Sequence, residues 1–173
     1  MGAPDGRVPG PQGRDLTQAP GLDALGVVQR IGASLAAGGF KVSRDSVAGR
    51  QAVIGRRGRI GGAGSTSPAF VLVAVFKSDA SPEHLDRFLD EAGQYASTVK
   101  GRLRPGACAV AVAVVDSGAD AGAWAMTAPA RRQGVRAFPV LVDLGTGGVV
   151  WADHGADLRH VVEAHVVPSV RRA

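Results

Sequence analysis

One segment, from Ala69 to Gly101, constrains the fold of this chain more than any other. It opens with the unbroken apolar run Ala-Phe-Val-Leu-Val-Ala-Val-Phe, and an amphipathic pattern begins at Ser81-Pro82 after a short polar stretch. A continuous apolar run is typical of a strand buried on both faces, and Pro suits a first helical turn, where its missing N–H is not needed. The segment therefore predicts a buried strand, a tight turn and a helix that covers the strand.

A second unbroken apolar run follows the predicted helix, from Ala107 to Val115. Strands that are apolar on both faces are typical of parallel sheets, and a parallel connection must be long enough to cross over the sheet. The two runs and the helix between them therefore predict a parallel pair of strands with a helical crossover.

The rest of the chain predicts further helices and two hairpins around this unit. In chain order these are a helix over 22–37, a hairpin over 40–54, a flexible loop over 58–68, a short helix over 120–130, a basic connection with Arg131, Arg132 and Arg136, a hairpin over 138–151 and a last helix over 158–170. Pro139 places its strand toward an edge of the sheet, because Pro has no N–H for a ladder. The predicted fold class is α/β: a single domain whose mixed sheet of about five or six strands is covered by three or four helices.

The first part of the chain differs from the rest in composition. Residues 1–20 are rich in Pro and Gly and contain almost no large apolar side chain. Such a segment buries too little surface to offset the entropy lost on ordering, so it is predicted to be a disordered tail. The remaining residues, 21–173, have the length of a single domain.

Cysteine content and hydropathy predict the compartment. The single cysteine, Cys108, excludes a disulfide within the chain and favours a reducing environment. No basic-then-apolar leader is present, and the run from Ala107 to Val115 is far shorter than the roughly 20 residues that span a bilayer. These features predict a cytoplasmic protein without membrane contact.

Polar residues directly after the apolar runs are the candidates for chemistry. The candidate catalytic residues are Lys77, Asp79 and Asp116, and the candidate metal ligands are Asp79, Asp116 and Asp143. Ligands of open α/β sheets bind at the carboxyl ends of strands, where carboxylates would hold Mg²⁺ and Lys77 would neutralise a phosphate. The same residues equally mark where strands leave the core, and Asp143 opens an ordinary hairpin turn. It shares an edge with the others only if its strand is parallel to theirs.

The order of a helix, a hairpin, a strand ending in Val75-Phe76-Lys77, a helix and another strand resembles the restriction-endonuclease-like superfamily. The motif of that superfamily has an acidic residue two positions before the lysine and another acid upstream. This chain has Val75 at the first position, and only Asp45 and acids of the tail are available for the second. The resemblance therefore implies a shared topology and, without carboxylates to bind a metal, an inactive relict. From Phe70 onward the pattern also resembles uncharacterised α/β proteins of GC-rich bacteria, which implies no activity.

A set of arginines points to a different function. The formal net charge is +5, and arginines cluster at the end of the first predicted hairpin and in the basic connection. The candidate nucleic-acid contacts are Arg56, Arg57, Arg59, Arg131 and Arg132. They would meet phosphates if they share one face, but few aromatic side chains that stack on bases lie beside them. The predicted binding is therefore weak and nonspecific.

The other reactive side chains form no recognisable site in the sequence. His160 and His165 are five residues apart, which points them in different directions on an α-helix, and Cys108 lies in an apolar run with no adjacent base. No cofactor motif is present. Because no catalytic or cofactor motif is recognisable, the sequence favours a non-catalytic binding or assembly module with an unidentified protein partner. The alternatives are a metal-dependent enzyme, or inactive relict, of nuclease-like topology that uses Mg²⁺, and a weak nucleic-acid-binding protein.

Overall fold

The computed structural model describes residues 23–58, 69–77, 80–100, 107–117 and 121–171. In chain order the elements are helix α1 (Ala24–Ala37), strands β1 (Lys41–Val47), β2 (Arg50–Arg57) and β3 (Ala69–Phe76), helix α2 (Pro82–Lys100), strand β4 (Ala107–Val115), helix α3 (Gly122–Ala125), strands β5 (Ala130–Arg132), β6 (Val135–Asp143) and β7 (Gly148–Trp151), and a C-terminal helical segment made of α4 (Ala156–Val161), a π-helical stretch (Val162–Val166) and α5 (Val167–Arg171). The predicted tail over 1–20 and nearly all of the predicted loop over 58–68 lie outside the described residues. No helix within the described ranges has the length and apolar content of a membrane-spanning segment.

The strands form one mixed sheet in the order β1-β2-β3-β4-β6-β5, with β7 also paired to β6. β1, β2 and β3 are an antiparallel meander, β3, β4 and β6 are parallel, and β5 and β7 are antiparallel to β6. Helix α2 crosses from β3 to β4, so the predicted α/β class, parallel pair and crossover are confirmed. Within the described ranges the sheet has seven strands, six of them in one order, against about five or six predicted. One reason is that the basic connection predicted at Arg131 and Arg132 is itself strand β5.

The central strands are buried on both faces of the sheet. On β3, Phe70, Leu72 and Phe76 pack with side chains of α2 and α3, whereas Val71 and Val73 pack with α1 and the C-terminal helical segment. We call these two sides the α2 face and the α1 face. Two apolar cores separated by the sheet make a three-layer domain, which explains why the strand sequences are continuously apolar.

Pro139 lies in an interior strand, so the predicted edge position is wrong. On one side β6 pairs with β4 along its whole length. On the other side β5 pairs as far as Ala137, and β7 begins to pair at Val140. Pro139 falls in the gap between these two short partners. Neither the β5–β6 ladder nor the β6–β7 ladder therefore needs an N–H from Pro139.

The C-terminal helical segment carries a buried histidine in its π-helical stretch. His165 is 8% exposed, its Nδ1 lies 3.1 Å from Ser34 Oγ, and its ring meets Phe40 edge-on at a centroid distance of 5.5 Å. Burial lowers the pKa of His165 below its usual value, and the charges of His160 and Arg57 lower it further. His160 belongs to the preceding helix α4 of the same segment and lies within electrostatic reach of His165.

Candidate functional site

The parallel strands give the sheet two chemically different edges. The last residues of β3, β4 and β6 lie at one of them, the carboxyl edge, and the first residues of these strands lie at the opposite amino edge. β1 begins and β2 ends at the amino edge, because β1 and β3 are both antiparallel to β2. The candidate residues of the sequence fall on both edges.

At the carboxyl edge the structure aligns three of the candidate residues with the ends of neighbouring strands. Asp116 follows Val115, which pairs with Asp143 in the β4–β6 ladder, and Lys77 follows β3 at the same edge. Because β6 is parallel to β4, Asp143 shares an edge with Asp116, which the sequence alone left open. Asp79 lies outside the described residues.

The Asp143 carboxylate is engaged in the turn after β6. Its Oδ1 accepts hydrogen bonds from the backbone N–H groups of Gly145 at 2.9 Å and Thr146 at 3.4 Å. Within the described ranges, no group of three or more His, Cys, Asp and Glu side chains could hold a metal ion. A metal site that includes Asp79 and Asp116 therefore stays a prediction.

Lys77 has no pair of carboxylates beside it in the described part of the chain. Lys77 lies on the α1 face with Val75, whereas Asp45 lies on the α2 face. On that face burial, and then the charge of Asp45, raise the pKa of Tyr95. The cleft next to Lys77 has a volume of about 760 Å³, and Asp23 is the only acid among its described lining residues. Both Asp23 oxygens accept backbone N–H groups of the first turn of α1. The cleft thus has a lysine without the acids of a nuclease motif.

A groove at the amino edge gathers basic side chains from three elements. Lys41 begins β1, Arg56 and Arg57 end β2, and Lys100 ends α2. All four line a groove of about 480 Å³, whose other described lining residues are Gly39, Gly58, Phe70 and Val99. We call it the cationic groove. No acidic residue is among its described lining residues.

The cationic groove contains two of the arginines predicted to contact nucleic acid and two lysines that the sequence did not single out. Lys41 and Lys100 are far from Arg56 in the sequence, and only the β1–β2 pairing and the packing of α2 bring them to one place. Their one sequence signal is that each stands at the end of a predicted element. A basic side chain at the C-terminus of a helix also suits the helix dipole, which made Lys100 look ordinary.

Side chains of the groove differ in how firmly they are held. Arg57 Nη1 donates a hydrogen bond to the Gly38 carbonyl oxygen at 3.0 Å, and its guanidinium lies 5.5 Å from the Phe40 ring centroid. Lys100 reaches the β5–β6 turn, where its Nζ would lie 3.6 Å from a Cβ placed on Gly134. The groove therefore presents a fixed guanidinium beside the exposed side chain of Arg56.

Strand β5 carries the other predicted nucleic-acid contacts. Arg131 and Arg132 are both exposed. Arg132 Nη2 donates to Asp90 Oδ2 at 2.8 Å, an ion pair that neutralises its charge. Arg131 makes no ion pair with any residue of the described ranges, and Arg59 lies outside them. The structure thus brings Arg56 and Arg57 together in the groove, but does not place Arg132 there.

A small cavity holds a cluster that the sequence did not predict. Cys108 is half-buried and lines a cavity of about 230 Å³ with Arg136 and His154. The β4–β6 register places Cys108 beside Arg136, and the His154 ring packs on Phe138 at a centroid distance of 5.6 Å. A thiol near basic groups is typical of reactive cysteines. The sequence treated Cys108 as a small core residue because its neighbours here come from other strands and loops.

Comparisons with known proteins do not assign the chain to a family. No protein-family model, no curated protein and no solved structure matches it. The function is therefore inferred from the geometry and charge of the described residues.

Proposed function

We propose that this protein is a non-catalytic binding module that holds the phosphate backbone of a nucleic acid in the cationic groove. The observation that carries the proposal is the convergence of Lys41, Arg56, Arg57 and Lys100 on one groove without an acidic lining residue among those described. Four positive charges in a concave surface raise the local concentration of anions and attract polyanions above all.

The lining of the groove favours backbone contacts over base contacts. Phe70 is the only aromatic residue among its described lining residues and is 1% exposed, so it offers no surface for stacking on a base. Contacts between basic side chains and phosphates position a nucleic acid without reading its sequence. The proposed binding is therefore insensitive to sequence and driven by the release of counterions.

The salt dependence of binding follows from the number of basic side chains. If all four neutralise a phosphate of a single strand, the logarithm of the association constant should fall with the logarithm of salt with a slope of about −3. Fluorescence anisotropy with a labelled single-stranded oligonucleotide of mixed sequence, measured over a series of KCl concentrations, gives this slope directly.

A matched pair of double variants tests the location. Arg56→Gln with Lys100→Gln removes two charges from the groove, and Arg87→Gln with Arg159→Gln removes two charges from exposed ion pairs elsewhere. The groove variant should lose about half of the salt slope, while the control keeps it. An equal loss in both variants would contradict the location. Poly-glutamate that binds as tightly as the oligonucleotide would contradict recognition of a phosphate backbone.

A further inference from the structure

Strand β1 is the first strand in the order of the sheet. It pairs with β2 from Lys41 to Val47, and no described strand pairs with its other side. All of its residues except Val47 are exposed, and it contains neither Pro nor Gly. An exposed edge strand of this kind is a template for another strand.

The turn after β1 fixes which backbone groups face outward. Ala48 and Gly49 have φ values of 54° and 72°, as in a two-residue type I′ hairpin. In such a hairpin Val47 and Arg50 form a hydrogen-bonded pair, so alternate residues of β1 bond to β2. Val42, Arg44 and Ser46 are the residues between them, and their N–H and C=O groups point away from the sheet.

We propose that β1 binds β1 of a second copy of this chain, antiparallel and about a twofold axis at Ser43. In this register Val42 lies opposite the partner's Arg44, and Lys41 lies opposite the partner's Asp45. Val42 and Arg44 both direct their backbone groups outward, so each of the two equivalent Val42–Arg44 pairs exchanges two hydrogen bonds. The two sheets become one continuous sheet.

Charge favours this register over an axis at Val42, which sets Lys41 opposite the partner's Ser43 without an ion pair, and over an axis at Arg44 or Asp45. An axis at Arg44 places Arg44 opposite the partner's Arg44, and an axis at Asp45 places Asp45 opposite the partner's Asp45. Like charges directly opposite each other destabilise a strand pair, whereas the axis at Ser43 sets Lys41 against the partner's Asp45 twice.

Both members of this ion pair lie on the same face. Val47 belongs to the core of the α2 face, and side chains alternate along a strand, so Lys41 and Asp45 are on that face too. Asp45 lies close enough to Tyr95 of α2 for its charge to raise the pKa of that phenol, and Asp45 Oδ1 accepts a hydrogen bond from the backbone N–H of Ser46 at 2.8 Å. On the other face Val42, 39% exposed, meets the methylene groups of the partner's Arg44.

The interface is small, because one strand from each copy supplies it, so the dimer is expected to dissociate on dilution. Analytical ultracentrifugation of the full chain over a range of concentrations, without nucleic acid, measures this equilibrium. Lys41→Asp should weaken the dimer, and Lys41→Asp with Asp45→Lys should restore it. A monomer at every concentration, or a double variant as weak as the single one, would overturn the proposal.

Cross-linking tests the register separately. In a Cys108→Ala background, Ser43→Cys places two thiols beside the twofold axis, where Cα atoms about 4.5 Å apart suit a disulfide. In the same register two copies of Ser46→Cys lie about 20 Å apart and serve as the control. Mild oxidation should link the Ser43→Cys chains as dimers and leave the Ser46→Cys chains unlinked. Equal linking of both variants, or of neither, would overturn the register.

Discussion

Gly38, at the C-terminal end of α1, leaves no room for a side chain. A Cβ placed there would overlap Cε1 of His165 and would lie 2.9 Å from its Nε2. The φ angle of Gly38 is −79°, which any residue adopts, so crowding rather than backbone strain decides the effect of Gly38→Ala.

The cost of Gly38→Ala follows from the contacts that His165 must give up. If the ring moves away from the new methyl group, it loses its hydrogen bond with Ser34, worth about 0.5–1.5 kcal/mol, and its edge-on contact with Phe40, worth about 0.5–1.5 kcal/mol. The smaller entropy of the unfolded alanine variant offsets about 0.4–1 kcal/mol of this loss. The expected result is a decrease of about 1–2 kcal/mol in the free energy of unfolding.

Urea denaturation measures this change, and two further variants identify its cause. Gly122→Ala is the control, because a Cβ at Gly122 meets no atom within 4 Å and should not destabilise the protein. In a His165→Ala background the ring is absent, so Gly38→Ala should stabilise by about 0.4–1 kcal/mol through the unfolded state, giving a coupling energy of about 1–3 kcal/mol between the two sites. Wild-type stability of Gly38→Ala, or the same loss in both backgrounds, would refute the reasoning.

Four other predictions follow from the structure. The unfolded chain binds a proton at His165 more readily than the folded state does, so the free energy of unfolding is highest above about pH 6.5 and falls as the pH drops from there toward the lowered pKa of the folded state. Urea titrations from pH 8 to pH 5 should show this fall, and His165→Gln should reduce it. Arg57→Gln removes a positive neighbour and should raise the pKa of His165 in NMR titrations, and an unchanged pKa would exclude that neighbour as a cause. Asp23→Ala removes the acceptor for two N–H groups of α1 and should lower the free energy of unfolding by about 0.5–2 kcal/mol, whereas an equal loss in Asp23→Asn would contradict a capping role. If Asp79 and Asp116 hold Mg²⁺, Mg²⁺ should raise the melting temperature of the wild type but not of Asp116→Ala, and no rise in either protein would contradict a metal site that stabilises the fold.

The centre of the fold is predictable because its signals are local. Three elements are each identified by their own sequence: the apolar runs beginning at Ala69 and Ala107 and the amphipathic helix between them. The known length and handedness of crossover connections then predict that the two strands pair in parallel. The parallel placement of Asp143 was not predictable, because it depends on which strand β6 pairs with.

The errors and omissions lie where a distant partner decides the outcome. Pro139 lacks a donor wherever it stands, but only the lengths of β5 and β7 show that no donor is needed there. Likewise Lys41 and Lys100 form the cationic groove only together with Arg56. The β1–β2 pairing and the packing of α2 bring the three residues together. Composition predicted the positive charge of the protein but not its concentration at one edge.

The gap at Pro139 also limits how far molecules of this protein can assemble. The side of the sheet beyond β6 consists of β5, with three residues, and β7, with four, so it offers an incoming strand no continuous row of backbone groups. The side formed by β1 is continuous over seven residues. A sheet that extends on one side only stops at two molecules, whereas a sheet that extends on both sides grows into a fibre. The broken side would therefore limit the proposed assembly through β1 to a dimer.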